Sequence, residues 1–185
     1  MLKRFNIILS TLVLFISFLL ISCKGDDNDN QYVKNTDRNQ IKKKLEEVNK
    51  ALIQKEMEEI DKYLEKHNLN MIRTGSGLRY CIDKQGDTSY IQAGDIVVLD
   101  YELYFLNNEK EIASSKNDAY KTFLVGHGGV EIGLEEAILN LHKGDEATII
   151  IPSYLAYGLI GDGYRIPPQT TLVYKVKVIE NQTKK

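Results

Sequence analysis

Hydrophobic and polar positions alternate at period two over several stretches of the second half of the chain. Ala147, Ile149 and Ile151 alternate with Thr148 and Ile150, and Leu172, Tyr174, Val176 and Val178 alternate with Val173, Lys175 and Lys177. Val97, Leu99, Tyr101, Leu103 and Phe105 share one face, with Val98, Asp100, Glu102 and Tyr104 on the other. Leu78, Tyr80 and Ile82 form a shorter run, and Thr122 to Val125 another. Period two predicts half-buried strands, with Lys175 and Lys177 facing water. A period near 3.6 takes over in two places. Ile41, Leu45, Val48 and Leu52, then Ile53, Met57, Ile60 and Leu64 one position on, predict a helix over 37–69. The slip at 52–53 rotates the stripe, so it is not a continuous heptad seam. Ile132, Leu134, Ala137, Ile138 and Leu141 predict a short amphipathic helix ended by Lys143-Gly144. No strand–helix–strand alternation is present. The expected class is α+β: a curled antiparallel sheet, a half-barrel over 70–181, wrapped around one short helix and preceded by a long one.

The first 22 residues follow a different pattern. Lys3 and Arg4 precede an apolar run from Ile7 to Leu20, which ends Leu20-Ile-Ser-Cys23. This order describes a secretory signal peptide. A transmembrane helix is the alternative, but the run is short for a span of ~20 residues and no basic stop-transfer cluster follows. Leu-Ile-Ser-Cys also resembles the bacterial lipobox. That resemblance implies lipid on Cys23, a mature chain starting there, and a stable membrane anchor, because two or more acyl chains hold where one does not. The stretch 23–36 is then a polar tether, which as a flexible coil would span roughly 20 Å. Its Lys24-Gly-Asp-Asp-Asn-Asp-Asn resembles signals that send some lipoproteins to the cell surface. The expected place is the bacterial cell envelope at the outer membrane, facing the periplasm or the exterior.

Charge and composition narrow the chemistry. With 24 basic and 26 acidic residues, net −2, and no polybasic run, nucleic acid is not an expected partner. The three histidines, His67, His127 and His142, lack metal-ligand spacing, so no metal and no cofactor are expected. With Cys23 committed to lipid, Cys81 has no disulfide partner and reads as a free thiol. Gly126-His-Gly-Gly-Val-Glu131 fails as a phosphate loop, because a carboxylate stands where the last glycine would be.

The last third carries the most specific signal. Lys143-Gly-Asp, a strand ending Ile151-Pro152, Ala156-Tyr-Gly158, a glycine-bearing loop, Ile166-Pro-Pro and Leu172-Val-Tyr174 follow in order. This order resembles FKBP-type peptidyl-prolyl cis-trans isomerases, and the likeness extends over about Gly94 to Glu180. It implies a pocket with catalytic hydroxyls at Tyr101 and Tyr157. Phe123, Val130, Leu134, Ile166 and Tyr174 would bind substrate as walls and floor, and Glu131 would do so through its backbone N–H. Proline-containing polypeptides are the implied partners. The layout with a lipobox also resembles gliding-motility-associated isomerase lipoproteins.

Several positions depart from the family pattern. Ile112-Ala-Ser-Ser115 stands for Phe-Asp-Ser-Ser, so Ala113 replaces the pocket aspartate. Lys121 or Tyr120 stands where an apolar wall is common, and Glu131 where Ile is common. Leu155 or its neighbour is inserted, and Asp162 replaces an aromatic or histidine of the flap. These departures leave the fold expectation intact and bear on activity. Two other readings therefore stay open: a non-enzymatic proline-segment-binding chaperone, and a structural lipoprotein whose long helix works, for example as a homodimer seam. Replacing Cys23 by alanine is expected to release the protein into the soluble fraction. A Cys23→Ala chain that stays membrane-bound with a cleaved N-terminus contradicts the lipid assignment.

Overall fold

The longest alternating run becomes an 11-residue strand that pairs along its whole length. The computed structural model describes residues 27–183, with side chains over 37–180. The signal peptide and Cys23 lie outside the described residues. In chain order the elements are α1 (Asp27–His67), β1 (Ile72–Arg73), β2 (Arg79–Lys84), β3 (Asp95–Phe105), β4 (Glu111–Ser114), β5 (Lys121–Leu124), α2 (Ile132–Ile138), β6 (Glu146–Ile151) and β7 (Leu172–Thr183). The strands form one sheet in the order β1-β2-β6-β7-β3-β4, and β5 pairs with the first half of β3. Every pairing is antiparallel. A one-residue register shift between Val98 and Leu99 interrupts the β3–β7 ladder, a device that sharpens local twist.

The inner face follows the alternation. Val97, Leu99, Tyr101 and Leu103 of β3, Ala147, Ile149 and Ile151 of β6, and Leu172, Tyr174, Val176 and Val178 of β7 are all buried, while Lys175 and Lys177 are exposed. Leu134, Ala137 and Ile138 of α2 close this face, with Leu141 just beyond. Gly133 lets the helix come close: a Cβ there would strike Cγ2 of Ile151. Ile132, expected on the apolar stripe, is instead 67% exposed, because it lies across the helix from Leu134.

The second face is not simply solvated. Ile150, Val173 and Leu106 are buried there against Met57 and Ile60 of α1. Polar contacts fix the same docking. Glu56 accepts from the Ser153 backbone N–H (2.6 Å), the Ser153 hydroxyl (2.9 Å) and the Thr171 hydroxyl (2.5 Å). Arg79, only 3% exposed, donates to Asp61 at 2.9 Å and to the Gly77 carbonyl at 2.8 Å. Residues from Lys50 onward therefore belong to the same compact unit as the sheet. The first half of the stripe, Ile41, Leu45 and Val48, is exposed.

The helix also starts at Asp27 rather than Asp37. Residues 27–36, expected as tether, extend it. Adding residues to an existing helix avoids the nucleation cost, and aspartates in a first turn suit the helix dipole. Among the described residues, no helix is long and apolar enough to cross a membrane.

The two halves of α1 are expected to respond differently to truncation. Ile60→Ala should cost about 2–5 kcal/mol in urea unfolding, and Leu45→Ala should stay within about 0.5 kcal/mol. Equal effects would contradict the docking.

Candidate active site

Several pieces of the chain contribute to one part of the core. The inner row of β3 supplies Tyr101. β5 pairs with β3 so that Lys121 faces Leu99 and Phe123 faces Val97. The segment before α2 brings Val130 and Glu131, and α2 itself brings Leu134. β7 sets Tyr174 between Leu103 and Ile149. The chain after β6 turns through a short 3-10 segment, Ser153–Leu155, to present Tyr157. The 158–171 loop then returns with Ile166. Tyr101, Phe123, Leu134, Ile166 and Tyr174 are buried in one cluster, with Val130 and Tyr157 partly buried against it. The structure thus gathers the apolar residues that the sequence singled out. Leu155, the last residue of the 3-10 turn, packs on the same cluster.

Glu131 is the one charged residue of that set. Glu131 was expected to serve through its backbone, yet its side chain turns into the cluster and is only 2% exposed. Its Oε1 accepts from the Tyr157 hydroxyl at 2.9 Å and from the Tyr174 hydroxyl at 2.8 Å. Its Oε2 is buried without a hydrogen bond and lies 3.6 Å from the Lys121 Nζ. Lys121 donates to the Tyr174 hydroxyl at 3.0 Å. Its Nζ also sits 5.3 Å from the Tyr101 ring centre and 5.4 Å from that of Tyr174, within cation–π range. Of the two wall candidates, Lys121 is the one that reaches the site, and Tyr120 is 56% exposed. An acid and a base both out of place in apolar positions, ten apart in sequence, were the available signal for this pair.

Burial first, and the Glu131 carboxylate second, push the Tyr174 and Tyr157 hydroxyls well above the ordinary phenol range. Both stay protonated and remain donors to Glu131. The Tyr101 hydroxyl is also raised, by burial and then by Asp118 and Glu131, with Arg165 acting against them. Ala113 lies opposite Leu103 on β4 and packs partly buried on the cluster. Its methyl offers Tyr101 nothing polar. The backbone of Tyr101 is held by Ser115, whose Oγ accepts at 2.8 Å.

Asp162 organises the loop over the site. Its Oδ1 accepts from the backbone N–H groups of Tyr164, Arg165 and Ile166 at 2.8, 2.8 and 2.7 Å. Gly161 permits the turn, since a Cβ there would strike the Ile166 carbonyl. The carboxylate that replaces a flap side chain is therefore the fold of the flap itself. Leu159, Ile160 and Tyr164 are exposed around it. Cys81 lies away from this cluster, on β2. Burial, with help from Asp83, raises its thiol to about 11, leaving it a poor nucleophile.

Comparison with known proteins gives one consistent result. The profile of the family described as FKBP-type peptidyl-prolyl cis-trans isomerase matches residues 87–179. That span contains every site residue named above. A probable FKBP-type peptidyl-prolyl cis-trans isomerase FkpA of Neisseria meningitidis serogroup B is 38% identical over 107 residues, covering 58% of this chain and 39% of that protein. Peptidyl-prolyl cis-trans isomerase FKBP10 of Homo sapiens is 37% identical over 91 residues, covering 49% of this chain and 16% of that protein. The matched stretch therefore spans well under half the length of these curated relatives.

Hydrogen bonds from Ile166, Tyr164 and Arg165 hold the Asp162 carboxyl below its ordinary range. A depressed carboxylate contributes order that is present above its unfolded pKa, ~3.9, and lost as pH falls through the folded value. The amide NMR signals of Tyr164, Arg165 and Ile166 are expected to shift together below pH ~4, and Asp162→Asn should remove the joint titration. Signals that stay fixed, or titrate unchanged in the variant, contradict the role of Asp162.

Proposed function

The chain belongs to the FKBP-type peptidyl-prolyl cis-trans isomerases, and from that membership we propose that it turns X-Pro bonds in exported or envelope proteins. The observation that carries this reading is that Tyr101, Phe123, Leu134, Ile166 and Tyr174 all belong to one buried apolar cluster. No nucleophile is needed. The barrier to rotation, ~18–20 kcal/mol, comes from amide resonance, and unassisted turnover takes tens to hundreds of seconds. A water-poor pocket favours the twisted, less polar amide over the planar one, and burial of the proline ring supplies binding energy.

Lipid on Cys23 would hold this activity at the envelope membrane, a reading supported by Leu20-Ile-Ser-Cys23. The exposed Ile41, Leu45 and Val48 of α1 would be available to a second copy.

Ala113 sets the expected rate. In the resembling family an aspartate at this place pairs with the strand tyrosine, here Tyr101. A hydrogen bond to a charged group is worth roughly 1.5–3 kcal/mol. If it acts only in the transition state, its absence costs about 10- to 150-fold. The full chain is therefore expected to show slow but measurable isomerisation of X-Pro peptides in a protease-coupled assay. Ala113→Asp should raise the rate, and the gain should shrink in a Tyr101→Phe background. A folded Ala113→Asp variant with no gain on several peptides would favour the second reading, a pocket that binds proline segments without turning them.

A further inference from the structure

The site has fewer free hydrogen-bond donors than its tyrosines suggest. A hydroxyl carries one hydrogen. Tyr157 gives its hydrogen to Glu131 Oε1, and Tyr174 gives its own to the same oxygen. Neither can donate to a substrate carbonyl without breaking a bond to a buried carboxylate. Lys121 is different. Its ammonium has three hydrogens, and one is used on the Tyr174 hydroxyl. Glu131 Oε2 at 3.6 Å is close enough to attract the charge but makes no hydrogen bond. The Lys121 side chain is 22% exposed, against 2% for Glu131. Two aromatic rings and one carboxylate thus hold a cation in place at the site, with donors to spare and access from solvent.

We propose that Lys121 binds a backbone carbonyl of the substrate polypeptide. The carbonyl is one flanking the prolyl bond. A cation on the oxygen of the rotating amide itself would deepen its C–N double-bond character and slow rotation. Contact with a neighbouring carbonyl strengthens binding equally in the planar and twisted states, so it acts on KM and not on kcat. The Glu131 carboxylate and the Tyr174 hydroxyl position the ammonium, while the Tyr174 ring stays part of the apolar cluster. The inference rests on the chain binding proline segments as proposed above.

The test uses the full chain in detergent, an Ala-Leu-Pro-Phe peptide, and two readouts: Kd by titration, and KM and kcat by isomerisation. Lys121→Met is expected to raise Kd and KM about 10- to 150-fold with kcat within about twofold. Lys121→Arg keeps the charge and should recover most of the binding. If Lys121→Met fails to fold because Glu131 is left unpaired, Lys121→Met/Glu131→Gln removes both charges and is read the same way. A folded uncharged variant with unchanged Kd overturns the inference, as does an arginine variant no better than methionine. A wild-type chain that binds the peptide without turning it defeats the isomerase reading alone, and Kd still decides the role of Lys121. A wild-type chain that does not bind overturns both.

Discussion

A carboxylate removed from water must find compensation, and the site is arranged around that demand at Glu131. An isolated buried charge costs far more than any single contact returns. Two tyrosine hydroxyls and one lysine supply the compensation, and each is fixed by a different element: Tyr174 on β7, Tyr157 after the 3-10 turn, and Lys121 on β5. Meeting the charge therefore ties the flap side, the far strand and the short edge strand to the segment before α2. The same demand removes the Tyr157 hydroxyl from the pool of donors. A wall that is apolar in the resembling family becomes a polar strut whose aliphatic and aromatic parts still line an apolar cluster.

The other face of the sheet shows the same economy. Ile60 and Met57 fill the space over Ile150 and Val173, while Glu56 satisfies the backbone at Ser153, where β6 gives way to the 3-10 turn. That turn leads directly to Tyr157. Helix docking on one face therefore steadies the residue that positions the site on the other. Asp61 plays the matching part at the near edge by pairing with buried Arg79.

The strands were legible because a half-buried strand writes its inner face at every second position. The inner rows of β3, β6 and β7 stand where the alternation put them. The apolar members of the pocket were legible from an ordered string of motifs. Two features stayed open in the sequence for one cause, which is contact between segments far apart in the chain. Ile150 and Val173 are apolar on the face taken as outward, and this was a sign that something covers it. The cover came from Met57 and Ile60, whose own stripe named no partner. The direction of the Glu131 side chain was not legible, since its hydroxyl donors lie 26 and 43 positions away. The early start of α1 at Asp27 was hidden for a different reason: Asp and Asn clusters read as coil, yet they are tolerated where a helix is already paid for downstream.

The central claim is that a pocket walled by a lysine–glutamate pair, and lacking the aspartate at Ala113, still turns prolyl bonds. Exchange NMR on an X-Pro peptide reads this without a coupled enzyme. With the full chain present at a small fraction of the peptide concentration, cis and trans signals are expected to exchange far faster than the tens to hundreds of seconds of the free peptide. Shifts that report binding, with cis and trans signals still exchanging at the uncatalysed rate, would contradict it.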